Sequence, residues 1–344
     1  MDIVFFGSGE FGVPTLARLA SPGSGHRVIA VVTQPDRPAG RGGKVTPTPV
    51  AQWAAANLPG ARLLKPERVS DPRVVEELRH IAHAAPSHTA VDAGLDASLV
   101  HRDANSACFV VIAFGQKMPR PLLEGVFAIN LHASLLPRWR GAAPINAAIL
   151  AGDPETGNSV ITLADRMDAG LILGQSRRAI DPMMTAGELH DLLSADGPGL
   201  VMRVLDEHAR RMTAAGAVVQ DESLVTKAAK LSKADGVLDF TRGADECRRR
   251  VHGLTPWPGV ALLLGDVPLK VLRVRVAPGA GPLALPTGSL FDVNNGLIAC
   301  GGDTVLQLLS VQPAGKRAMG WDEFVRGRTI APGTPLKPPA RPAE

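Results

Sequence analysis

DIVFFGSGEFGVPTLARLA, residues 2–20, decides the fold. DIVFFG (2–7) is a short apolar run ending in glycine, and VPTLARLA (13–20) carries its apolar side chains at helical spacing. HRVIAVVTQ (26–34) follows as a second buried run. Strand, glycine-rich turn, helix, strand is the opening of a parallel α/β sheet. The turn GSGEFG (7–12) also fits G-x-G-x-x-G, in which amides at a helix N-terminus can meet a pyrophosphate. That chemistry asks for an acidic residue where the second strand ends. Thr33 and Gln34 stand there instead, and Asp36 lies beyond in a Pro-Asp-Arg-Pro turn. The glycines are therefore read as a tight strand-to-helix turn, not as a dinucleotide site.

Working outward, PVAQWAAANL (49–58) reads as a helix and ARLLKP (61–66) as a short strand. DPRVVEELRHIA (71–82) reads as a helix capped by Asp71 with Pro72 in its first turn. FVVIAFG (109–115) and AINLHA (128–133) are buried strands, and APINAAILAG (143–152) is a helix. SVITLADRMDAGLILGQ (159–175) reads as two strands around a turn, and Thr185 with Glu188 opens a long helix to 211 as a capping box. The expected class is thus α/β: a Rossmann-like, doubly wound, mostly parallel sheet over residues 1–212. Residues 213–240 read as a linker. Short alternating runs broken by Gly, Pro and Asn then predict a small OB-like β-barrel over 241–334, with 335–344 as a flexible tail.

One segment resists this reading. Residues 80–108 separate a helix from a strand where a connection of about 2–6 residues is usual. The segment carries His80, His83, His88 and His101 but no convincing carboxylate partner, so it reads as a solvated insertion and not as a metal site.

Charge is uneven. After residue 226 there are 16 lysines and arginines against 10 acidic residues, while the remainder has 21 against 23. A basic C-terminal third on a near-neutral body points to a polyanionic partner. Three scattered cysteines, Cys108, Cys247 and Cys300, suit a reducing compartment. The N-terminus lacks a signal-peptide pattern, and no apolar run reaches the ~18 residues of a membrane span. A cytoplasmic monomer is expected.

INLHASLLPRWRG (129–141) holds the densest chemistry. Asn130 and His132 are two apart at a strand's C-terminal end, so they share a face at the edge where open α/β sheets bind ligands. An amide can donate to a developing oxyanion, and an imidazole can carry a proton near neutral pH. The missing carboxylate is supplied by Asp168 if the MDAG turn presents it to the same edge. QPDRPAGRGGKVTPTP (34–49) reads as an exposed, mobile loop whose Arg37, Arg41 and Lys44 suit phosphates.

These stretches, with TAGELHDLL, VQDESLVTKAAKLSKADGVLDF and GLTPWPG, resemble the methionyl-tRNA formyltransferase family in order and over nearly the full length. The resemblance implies transfer of a formyl group from 10-formyltetrahydrofolate to the methionyl amine of initiator Met-tRNA, without metal. It places the catalytic set on Asn130, His132 and Asp168. Folate contacts fall on Ser134, Leu135, Leu136 and Pro137, with Ile112 and Phe114 flanking the pterin, and tRNA contacts fall on Arg37, Arg41 and Lys44. The sequence departs from the family pattern at GSGEF, at Gly43, at MDAG with Leu171 after it, at Lys227, and in the long 80–108 segment. Alternatives are formylation of a small amine, hydrolysis of the folate, or a non-catalytic RNA-binding protein.

Overall fold

The computed structural model describes residues 1–39, 43–83, 107–211, 216–279 and 285–339. The chain divides into two compact units, each assembled from separate stretches. The first comprises Met1–Arg140, Gly157–Arg177 and Asp191–Thr226; the second comprises Gly141–Thr156, Arg178–His190 and Lys227–Glu344.

The first unit is built on β1 (Asp2–Gly7), α1 (Val13–Ala20), β2 (Arg27–Val32), the short strands β3 (Arg37–Ala39) and β4 (Lys44–Thr46), α2 (Pro49–Asn57), β5 (Arg62–Leu64) and α3 (Pro72–His83). It continues with β6 (Cys108–Ile112), α4 (Arg120–Leu123) and β7 (Ala128–His132). Strand β8 (Arg140–Gly141) and helix α5 (Pro144–Ala151) come next in the chain, α5 lying in the stretch that belongs to the second unit. They are followed by β9 (Glu155–Thr162), β10 (Ile172–Ala179) and the long helix α6 (Ala186–Arg211). The sheet order is β10-β9-β7-β6-β1-β2-β5. Strands β5, β2, β1, β6 and β7 run parallel, and β9 joins antiparallel to β7.

The chain lays β2 and β5 on one side of β1 and then returns to place β6 and β7 on the other. The strand order therefore reverses between β1 and β6, which is where a crevice opens at the C-terminal edge of such sheets. Phe5, Phe6, Phe109 and Ile112 are fully buried in these strands. Each contributes about 1.5–3 kcal/mol by leaving water, so the sheet holds its edge rigidly. Gly7 permits the first turn: a Cβ there would lie 2.9 Å from the Ile112 carbonyl. The helix caps match the sequence reading. Asp71 accepts from the Arg73 amide at 2.9 Å, and Thr185 and Glu188 close their capping box with amide bonds of 2.8 and 3.3 Å.

The second unit contains β11 (Lys227–Ala228), α7 (Ala244–Gly253), β12 (Val260–Leu264), β13 (Val267–Ala277), β14 (Ser289–Asp292), β15 (Leu297–Ala299), β16 (Val305–Pro313), β17 (Met319–Gly320), α8 (Trp321–Val325) and β18 (Thr334–Lys337). The order β13-β12-β18-β14-β15-β16, with β16 returning to β13, closes a six-strand barrel. Two boundary expectations need correction. Residues 335–337 are not tail: β18 pairs with both β12 and β14, and Leu336 is in the core. Their proline content hid an alternation that the ladder reveals, with Leu336 inward and Pro335 exposed. Likewise Leu238 and Phe240, at the end of the expected linker, are buried in the barrel.

His252 in α7 is wholly buried. The Val274 amide donates to its Nε2 at 3.2 Å, so Nδ1 carries the proton and donates to the Pro182 carbonyl at 3.1 Å. Burial pushes its pKa down to about 4.

Candidate active site

The C-terminal edge of the first sheet carries Asn130 and His132 on β7. Val111 of β6 pairs with Asn130, and Ser159 of β9 sits opposite His132. Asn130 is half-buried, and its amide has no hydrogen-bond partner among the described residues. It is available to an incoming group. His132 is 6% exposed. Its Nε2 lies 2.9 Å from the Trp139 carbonyl, which can only accept, so Nε2 carries a proton. Its Nδ1 faces Asp168 Oδ1 at 3.6 Å, within ion-pair range but beyond a hydrogen bond. The two side chains are only 7% and 12% exposed, so their charges are poorly screened by water. The fold thus brings Asp168, 36 residues further along the chain, up to His132, which shares its strand with Asn130. The carbonyl of Trp139 sets the imidazole tautomer.

Among the described residues, three of the four non-glycine residues with left-handed backbone are here: Ala113 (φ 48°), Trp139 (φ 64°) and Asp168 (φ 55°). Strained backbone of this kind, costing of order 1–3 kcal/mol each, concentrates where geometry matters more than stability. The turn bearing Asp168 is pressed against β9, since a Cβ at Gly170 would lie 1.7 Å from the Thr162 carbonyl. On its other side Gln220 donates to the carbonyls of Asp168 and Gly170, both at 2.8 Å. Arg140 Nε donates to the Gln220 Oε1 at 2.9 Å, and Arg140 and Arg166 both bind Glu222. The hydrogen bond from Arg140 holds the Glu222 carboxyl below the usual range. Sequence reading missed this support. Only the run VQDES hinted at it, and nothing local says that Gln220 points inward.

The Ser-Leu-Leu-Pro turn is a rigid loop. Ser134 is fully buried, and its hydroxyl donates to the Arg138 carbonyl at 2.6 Å. Ser159 and Gln175 hold the loop from below, through the Ser134 and Leu136 carbonyls. Leu136 packs on Ile161 and Ile172, which leaves Leu135 and Pro137 as the half-exposed side chains. Ile112 is 0% and Phe114 2% exposed, so their side chains belong to the core. The edge beside them is low: Gly9, Ala113 and Gly115 offer almost no side chain.

The two described arms of the basic loop are paired. Residues 37–39 and 44–46 form an antiparallel hairpin, with Arg37 paired to Thr46 and Ala39 to Lys44. Arg37 reaches Glu67 at 3.4 Å and Lys44 is exposed; Arg41 lies outside the described residues. Of the four histidines in 80–108, His80 is exposed and His83 half-buried at the end of α3, and His88 and His101 lie outside the described residues. Among the described residues no cluster of three or more His, Cys, Asp or Glu is placed to hold a metal ion, and no helix is long and apolar enough to cross a membrane.

Comparison with known proteins places this site in a class. Residues 1–205 match the family described as formyl transferase, and residues 230–329 match the formyl transferase C-terminal domain. The fold is shared with an N-formyltransferase from Helicobacter canadensis solved with folinic acid and dTDP-3-aminofucose. That likeness has a TM-score of 0.60 at 13% identity over 90% of this chain and 98% of that one. The sugar 3N-formyl transferase WlaRD is similar at a TM-score of 0.59 and 13% identity, covering 92% and 99%. Among sequences, the methionyl-tRNA formyltransferase of Symbiobacterium thermophilum is 39% identical over 99% of this chain and 97% of its own length. That of a Methylobacterium species is 40% identical over 98% and 99%. The chain belongs to the methionyl-tRNA formyltransferase family.

Proposed function

We propose that this protein moves a formyl group from 10-formyltetrahydrofolate to the α-amine of methionine on initiator Met-tRNA. The carrying observation is the open Asn130 amide beside the His132–Asp168 pair, on the low edge of the sheet. The residues present suit a folate. Leu135 and Pro137 offer an apolar wall, and the edge at Gly9, Ala113 and Gly115 leaves space for a flat ring; any contribution of Ile112, Ser134 and Phe114 is made through backbone or by shaping the loop. When bound, the folate supplies an electrophilic formyl carbon and, at N10, the amine that leaves.

Asn130 donates to the oxygen on which negative charge develops as the methionyl amine adds to that carbon. The attacking amine must lose a proton, and N10 must gain one as its bond to carbon breaks. The His132–Asp168 pair carries that proton. With Nε2–H bound to the Trp139 carbonyl, Nδ1 is the nitrogen that gains and loses it, and Asp168 stabilises the charged ring. The barrel, with the positive surplus after residue 226, holds the acceptor stem through phosphates, which position without reading sequence. Arg37 and Lys44 on the paired strands, together with Arg41, engage the 3′ end. The protein acts as a cytoplasmic monomer. The test is to mix the purified chain with Met-tRNA and the folate donor, and separately with small amines or water alone. Formyl-Met-tRNA is the expected product; formylation of a small amine at equal or greater kcat/KM would overturn the reading.

A further inference from the structure

The run VQDESLVTK (219–227) has no part in the chemistry above, yet two of its side chains touch the supports of His132. Thr226 holds one of them. Its hydroxyl accepts from the Trp139 amide and its carbonyl from the Arg140 amide, both at 2.9 Å. The Trp139 carbonyl is the acceptor for His132 Nε2–H, and Trp139 has left-handed backbone, a conformation that needs outside restraint. Gln220 holds the other. Its NH2 group donates to two carbonyls of the Asp168 turn, and its oxygen receives Arg140 Nε, so the orientation of the amide is fixed by its partners. Gln220 and Arg140 are 6% and 7% exposed, and Arg140 joins the two grips, binding Thr226 by its backbone and Gln220 by its side chain.

We infer that Gln220 and Thr226 are positioning residues, a clamp that fixes both partners of the His132 ring: the carbonyl on Nε2 and the carboxylate facing Nδ1. Neither need touch substrate. The clamp makes one ring nitrogen permanently a donor, leaves the other to exchange the proton, and sets its distance from Asp168. This rests on the proposed role of His132 in formyl transfer, but the ring's tautomer can be read without any substrate.

The experiment uses the full chain and four variants: Gln220→Leu, Gln220→Glu, Thr226→Val and Thr226→Ser. Two readouts are taken. One is kcat and KM for Met-tRNA and for 10-formyltetrahydrofolate. The other is the ring nitrogen spectrum of 15N-histidine-labelled protein alone, with the His132 signals assigned by His132→Ala. Wild type should show His132 as an Nε2–H ring. Gln220→Leu and Thr226→Val should lose kcat by about ten- to a hundredfold, the scale on which misplacing a catalytic group acts. Both KM values should stay within about threefold. Thr226→Val should also weaken or shift the Nε2–H signal, and Thr226→Ser, which keeps the acceptor, should restore signal and rate. Gln220→Glu keeps the size and the Arg140 contact but lacks the donor, so it should lose kcat as Gln220→Leu does even if the leucine variant folds poorly. The inference is overturned if Gln220→Glu and Thr226→Val both keep kcat within about threefold of wild type. It is equally overturned if Thr226→Val leaves the Nε2–H signal unchanged. Should wild type not formylate Met-tRNA at all, the functional reading fails, and the spectrum still decides the clamp.

Discussion

Two buried histidines in this chain do opposite work, and their partners say why. His252 in the second unit has both ring nitrogens closed by backbone: Nδ1 donates to the Pro182 carbonyl and Nε2 accepts from the Val274 amide. A second ring proton has nowhere favourable to go, and burial sets the pKa at about 4. His132 in the first unit has only Nε2 closed, by the Trp139 carbonyl, while Nδ1 faces the Asp168 carboxylate. The first arrangement ties segments of a fold together. The second leaves one nitrogen facing a carboxylate, the arrangement the proposed proton transfer uses. Burial alone does not separate them, since both rings are less than a tenth exposed.

If this contrast holds, the largest effect comes from opening the first unit's site. His132→Ala and Asn130→Ala should each lower kcat by about a hundredfold or more, the range for a proton carrier or an oxyanion donor, while melting stays within a few degrees of wild type. Steady-state formylation and calorimetry on the same samples check both halves. His252→Leu should do the reverse. It strands a buried carbonyl and a buried amide, which costs about 1–3 kcal/mol each, and should leave kcat within about twofold at temperatures where the protein is folded. A variant that loses kcat without losing stability would erase the distinction.

The contrast also has a pH signature. His252 protonates at its ordinary value of 6.5 when unfolded and near 4 when folded, so between those values the unfolded chain binds more protons. Stability from this group is complete above about 6.5 and falls as pH drops toward 4, by at most about 3 kcal/mol. Denaturant midpoints at pH 7 and pH 5 should therefore differ more for wild type than for His252→Leu. Equal differences would mean that the ring is not the group responsible.

A smaller effect is expected at the hairpin. Lys44→Ala should weaken tRNA binding modestly and reduce the slope of log affinity against log salt by roughly 1, with folate affinity unchanged. Unaltered slopes would remove the hairpin from the tRNA surface.

How much of this was legible depends on how far each feature reaches along the chain. The parallel sheet was readable because its strands are continuous apolar runs, and Asn130 and His132 because a two-residue spacing at a strand end puts them on one face. Asp168 was readable only as a turn carboxylate of suitable placement. Ile112 and Phe114 follow the same apolar strand and read as pocket walls, yet the sheet turns their side chains into the core. The pairing of 37–39 with 44–46 was hidden by Pro and Gly content, and β18 by the prolines around Leu336. Gln220, Thr226 and the Trp139 carbonyl were not readable at all. The contacts of Gln220 and Thr226 reach 50 to 87 residues along the chain, and the Trp139 carbonyl is a backbone atom that every residue has.

The most direct test of the account is the single-turnover rate of formyl-Met-tRNA formation by Asp168→Asn against wild type, with both substrates saturating. In the wild type a carboxylate faces Nδ1, where the proposed mechanism has it stabilise the charged ring. An asparagine removes that charge, and its NH2 can donate to Nδ1 and hold the ring neutral. The account predicts a fall of about a hundredfold or more with the fold intact. A rate within about threefold of wild type would contradict the claim that the His132–Asp168 pair carries the proton.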